Sequence, residues 1–168
     1  MTTIEIDRTY PHPRERVWRA LTDPELLARW LMPNDFEPRV GHRFTFRTDP
    51  GPGFDGVVHC EVTEIEEPRL VAFTWVGGPL DTRVRFTLEE VPGGTRLQVE
   101  HSGFRGLKAW LVSRILKAGS RTIYGRKLPA VLESMDAPAP ENIEVAECMT
   151  PGQGLVRRLL ALFERKTR

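Results

Sequence analysis

Two polar residues interrupt otherwise apolar patterns, and they are where any chemistry would begin. Glu64 falls in phase with Val58, Cys60 and Val62, and His101 with Leu97 and Val99, so the two-residue period of a strand predicts that both side chains point inward. A buried carboxylate or imidazole without a partner costs ~1–3 kcal/mol, and such a placement needs a reason. One reason is function: a polar anchor for a ligand headgroup, or an acid/base pair tuned by a pocket. The plainer alternative puts Glu64 at its strand's end within reach of water and bonds His101 to a backbone carbonyl. That alternative outweighs catalysis, whereas as ligand contacts the two readings balance.

Other chemistries are poorly served. Cys60 shares the inward phase, but no base or helix N-terminus lies beside it in the sequence, so it reads as a small core residue and not a nucleophile. His12, His42, His59 and His101 lack the i, i+4 or Cys-x-x-Cys spacing of metal sites, and no metal is expected. Gly51-Pro52-Gly53 and Gly77-Gly78-Pro79 have neither the strand-loop-helix context nor the lysine of a phosphate loop, and no nucleotide or other cofactor is indicated.

The elements that must position these residues can be traced along the chain. Ile4 and Ile6 alternate with polar neighbours in a first strand that Pro11 and Pro13 end. Val17, Trp18 and Leu21, then Leu26, Leu27, Trp30 and Leu31, follow helical spacing; Thr22 or Asp23 before Pro24 supplies an N-cap, which predicts two short helices. From Gly41 onward strands over 42–48, 57–65, 69–75, 82–90 and 95–102 are separated by tight Gly/Pro turns, the pattern of an antiparallel meander. Phe44 and Phe46, then Val71, Phe73 and Trp75, then Val84, Phe86 and Leu88 form apolar rows, while Arg43, Arg47, Arg83, Arg85 and Arg96 take the opposite phase. Leu107, Trp110, Leu111 and Ile115 would lay a covering helix on the greasy face, with a bend at Gly119-Ser120 and a kink at Pro129 before Leu132 and Met135.

Composition bounds the rest. The 168 residues suffice for one domain with a core, and 40% hydrophobic with 28% charged residues is the balance of an ordinary globular chain. Lys and Arg number 24 against 23 Asp and Glu, so no global field favours nucleic acid, and no apolar run is long enough to span a bilayer. Two distant cysteines and an N-terminus without an apolar signal core predict a cytoplasmic protein with free thiols. The expected organisation is a domain over 1–135, a Pro-rich linker over 136–150 and a basic amphipathic helix over 151–168. That helix would pack on its own domain or a dimer mate, with weak peripheral membrane contact or a protein partner as the sharper alternatives.

Strand, two short helices, meander and long final helix is an α+β order that resembles the helix-grip fold of START-like (SRPBCC) proteins. Three motifs narrow the resemblance to the branch homologous to the activator of the ninety-kilodalton heat-shock chaperone's ATPase. They are Arg14-Glu15-Arg16-Val17-Trp18-Arg19-Ala20-Leu21-Thr22-Asp23-Pro24-Glu25-Leu26 with Arg29-Trp30, Glu64-Ile65 with Pro68-Arg69-Leu70-Val71-Ala72-Phe73-Thr74-Trp75, and Gly94-Thr95-Arg96-Leu97 with His101-Ser102-Gly103-Phe104. The resemblance covers roughly residues 1–135 and implies a cavity between curved sheet and last helix that holds an apolar molecule. It implies no reaction, because one fold hosts many functions.

Two departures stand out: Ser120-Arg121 follows Gly119 where an aromatic is common, which would put a cation at the cavity mouth, and the 33 residues after Met135 exceed the minimal domain. The candidate ligand contacts are thus Trp30, Phe44, Phe46, Cys60, Glu64, Phe73, Trp75, Phe86, His101, Trp110 and Arg121, though most of the aromatics must simply form the core. The leading expectation is a binder of a small apolar molecule. A chaperone-associated interaction domain is second, a cyclase or hydrolase third, and an enzyme is less expected than a binder.

Overall fold

A computed structural model of the chain describes residues 2–51 and 53–135. The expected linker and basic tail helix lie outside the described residues. A first strand, β1 (Thr2–Tyr10), leads into α1 (Arg14–Thr22) and α2 (Pro24–Trp30). Five strands follow: β2 (Arg43–Arg47), β3 (Val57–Glu66), β4 (Leu70–Gly77), β5 (Leu80–Val91) and β6 (Gly94–Phe104). All six join in one curved antiparallel sheet of order β1-β6-β5-β4-β3-β2, closed over by α3 (Gly106–Thr122), a π-turn (Ile123–Lys127) and α4 (Leu128–Ser134). This is the α+β helix-grip arrangement expected from the sequence.

Local signals explain most boundaries. Asp23 caps α2, its Oδ1 accepting the N–H groups of Glu25 at 2.9 Å and Leu26 at 3.2 Å, with Pro24 in the first turn where its missing donor costs nothing. Gly93 takes φ +84° in the β5–β6 turn, and a Cβ on Gly94 would stand 2.0 Å from the Tyr10 carbonyl oxygen, so the hairpin can approach β1 only with glycine there. The arginine-rich phase faces outward: Arg43 pairs with Glu61 at 3.0 Å, and Arg96 forks onto Asp7.

Two expectations are corrected. Glu64 does not point inward: β3 carries a bulge between Val62 and Glu64, so Val62 opposes Phe73 but Glu64 opposes Ala72, and the extra residue reverses the phase. Its carboxylate ends on the wet face, 3.3 Å from both Arg83 and Arg85, and Ile65 packs on the core instead. The covering face of α3 is also rotated. Leu107 is 80% and Trp110 45% exposed, while Ala109 and Ser113 are buried and Val112 and Leu116 pack inward. α3 carries two adjacent apolar strips, and the one with small residues lets it lie close to the sheet; the bulkier strip is left outside. The helix itself is continuous through Gly119-Ser120, and an irregularity falls just before Pro129 as the π-turn, where the Leu128 N–H bonds to Ile123 O.

Two apolar clusters result. The larger joins α1, α2 and α4 to the sheet around Trp30, Phe46, Phe73 and Phe86; the smaller, Ile4, Leu80, Phe104 and Ala109, lies under α3. Ile6 and Trp75 pack against both.

Candidate functional site

Where the two clusters meet, side chains leave a cavity of about 70 Å³ between sheet and final helix. The sheet contributes Phe73, Trp75, Val84, Phe86, Val99 and His101, β1 contributes Ile4 and Ile6, and the helical side Leu31, Leu116, Ser120, Ile123 and Tyr124. The wall is aromatic and aliphatic, and the Ser120 hydroxyl is already donated to the Lys117 carbonyl at 2.7 Å.

His101 is the polar group that matters. Its Nε2 lies 2.8 Å from Thr82 Oγ1, and the same hydroxyl donates to the Trp75 carbonyl at 3.0 Å. A hydroxyl has one proton, so with that proton on the carbonyl Thr82 accepts from Nε2–H. The imidazole is thereby held with Nδ1 as an acceptor, and Nδ1 has no protein partner among the described residues. Rings of Trp75 at 5.7 Å and Phe104 at 4.6 Å flank it. Burial lowers its pKa to about 4, so the ring is neutral at pH 7.

Bulges built this arrangement too. Strict alternation after His101 would bring Gly103 inward, but Gly103 takes φ +99° at an irregularity in the β1–β6 pairing, and Phe104 turns in to lie against the imidazole. The glycine also lets β6 approach β5, since a Cβ there would meet Thr82 Cα at 3.3 Å.

The expected contacts therefore divide. Phe73, Trp75, Phe86 and His101 line the cavity together. Phe44 and Phe46 stand behind them, Phe44 5.5 Å from Phe73 and Phe46 5.2 Å from Trp75 by ring centres. Trp30 is buried against Tyr124 at 5.6 Å, its indole N–H donated to Ala20 O at 2.8 Å. Cys60 is buried in the same core, and desolvation pushes its thiol up to about 12, which makes it inert at neutral pH. Glu64, Trp110 and Arg121 face away: Glu64 on the wet side of the sheet, Trp110 on the outer side of α3 with Arg114 5.9 Å over its ring, and Arg121 in an outer groove. Glu64 and His101 thus occupy opposite faces of the sheet and cannot act as an acid/base pair. Alternation could have named Thr82, since it shares the phase of Val84; Phe104 could be found only by reading Gly103 as a bulge. Among the described residues no group of three or more metal-type ligands converges, and no helix is long and apolar enough to cross a membrane.

The sequence model of the activator of Hsp90 ATPase homolog 1-like proteins matches residues 11–133, most of the chain and all of the sheet beyond β1. The chain belongs to this family. Among solved structures, this activator-homologue chain is similar to a protein of Mesorhizobium loti, with 38% identity and a TM-score of 0.73 over 80% of this chain and 99% of that one. It is similar also to a Bacillus halodurans protein at 26% identity and TM-score 0.67, over 79% and 97%. The Aha1 dimer of Colwellia psychrerythraea shares the fold at 20% identity and TM-score 0.62, over 82% and 98%. No curated protein matches the chain.

Proposed function

We propose that this activator homologue binds a small apolar molecule carrying one hydrogen-bond donor, seated between sheet and final helix with its donor on His101 Nδ1. The observation that carries the reading is the imidazole itself, oriented by Thr82 in an otherwise apolar, aromatic-walled cavity and left with an unused acceptor. A space of about 70 Å³ admits only a few atoms, so a larger ligand requires α3 to move outward. Its contact through small side chains, Ala109 and Ser113, and the π-turn behind it support that movement. The test is a thermal-shift screen of small phenols, alcohols and amides, since binding to the native state alone raises the melting temperature with concentration. A saturable rise that His101→Phe abolishes supports the reading; a hit that binds His101→Phe equally well refutes the anchor.

A second reading, chaperone-associated interaction within the cytoplasm, draws on the family and on exposed Leu107 and Trp110. Its test is the ATPase rate of a purified Hsp90-type chaperone, expected to change with this protein and to return to baseline with Leu107→Ser/Trp110→Ser. Turnover of the cyclase or hydrolase kind finds less support, because a lone imidazole with a pKa near 4 is a weak base at neutral pH.

A further inference from the structure

A second concavity adjoins the first, the two sharing Ile6 and Ser120 in their walls. It is a groove of about 590 Å³ between residues 5–8 of β1 and residues 114–121 of α3. One wall is β1, which among the described residues is the outermost strand of the sheet, and an edge of that kind is one that folded proteins cover. The other wall presents Arg114, Lys117 and Arg121 at helical spacings of three and four, on one face of α3. Across from them stand Glu5, Arg8 and Asp7, and Asp7 is already engaged by Arg96. Among the described residues no carboxylate forms an ion pair with Arg114, Lys117 or Arg121. The imbalance runs through the whole region: residues 101–132 contain seven Lys or Arg and no Asp or Glu.

The complementary charge sits in the same chain. Between Lys127 and Arg157 there is no basic residue, but there are five acidic ones: Glu133, Asp136, Glu141, Glu144 and Glu147. The last three recur every third residue, interleaved with Ile143, Val145 and Ala146. Distance permits a return. Glu141 and Glu147 lie six and twelve residues beyond Met135, a reach of up to ~20 and ~40 Å. Arg121 and Arg114 lie 14 and 21 residues before it, about 21 and 31 Å back along the helix.

We infer that the acidic segment 141–147 docks back into this groove, its carboxylates against Arg114, Lys117 and Arg121 and its apolar residues over the edge of β1. The segment would cover the sheet edge, and the inference stands whether or not the cavity holds a ligand.

The native cysteines supply the test. Cys148 adjoins Glu147, while Cys60 is buried with its thiol pushed up to about 12, so a nitroxide reagent at neutral pH labels Cys148 alone. In the full-length chain the nitroxide should broaden the amide signals of residues 5–8 and 114–121, and Glu141→Lys/Glu144→Lys/Glu147→Lys should restore them. Broadening that spares both stretches overturns the docking, as does broadening that survives the charge reversal. Mixing spin-labelled chains with isotope-labelled, unmodified ones decides the source: signals lost only in the mixture would seat the segment on a second copy and overturn the intramolecular arrangement.

Discussion

Acidification should destabilise this fold through His101, and the size of the effect can be worked out. The imidazole has an ordinary pKa of 6.5 in the unfolded chain and about 4 in the cavity wall, because burial penalises its charged form. Above pH 6.5 both states hold it neutral, and it adds no pH dependence. Between about 6.5 and about 4 the unfolded chain takes up a proton that the folded chain refuses, so stability falls as pH falls; below about 4 both are protonated and the loss is complete. At ~1.4 kcal/mol for each tenfold change in proton affinity the full loss is ~3.5 kcal/mol, of which about 2 falls between pH 7 and pH 4.5. For a domain of this size that is a melting temperature lower by about 4–8 °C. Urea unfolding of the native chain and of His101→Gln between pH 7 and pH 4.5 isolates the contribution, because glutamine can still donate to Thr82 and the other histidines cancel in the difference. The native chain should lose about 2 kcal/mol more than the variant over that range. Equal losses, or an imidazole that titrates near 6.5 by NMR, would refute the assignment of His101 to a desolvated site.

Further predictions concern the elements that hold the site. Asp23→Ala removes the acceptor for two helix N–H groups and should cost ~1 kcal/mol by chemical denaturation. Tyr10→Phe deletes the buried hydrogen bond from Tyr10 Oη to the Tyr124 carbonyl, 2.7 Å long, and should cost ~1–2 kcal/mol while quickening hydrogen exchange through 123–128. Leu107→Ser/Trp110→Ser should change stability by less than about 0.5 kcal/mol, because both side chains already face solvent; a loss of several kcal/mol would mean that they are core residues after all. Glu64→Gln should cost under ~1 kcal/mol, as exposed ion pairs do, and should leave the affinity of any cavity ligand unchanged.

Much of this architecture was legible from periodicity. The strand rows of Phe44 and Phe46, of Phe73 and Trp75, and of Val84 and Phe86 all face the core as alternation requires, and Asp23-Pro24 marks a helix start by the chemistry of its backbone donors alone. What escaped was every place where the count changes by one. Periodicity assumes an unbroken ladder, and a single extra residue between Val62 and Glu64 reversed the face of a carboxylate that had looked buried. The same kind of shift at Gly103 brought Phe104 onto His101, so the two bulges had opposite consequences for the site: one removed an acid from it and the other completed the aromatic seat of the imidazole. Helical spacing failed differently. α3 offers apolar residues on two neighbouring strips, and size favoured the one bearing Leu107 and Trp110, whereas close approach to the sheet selected Ala109 and Ser113. A packed interface rewards fit over bulk, so the displaced large residues mark the outside of the helix, and a helix seated on small side chains is also the one that can shift with the least loss of contact when the cavity beneath it fills.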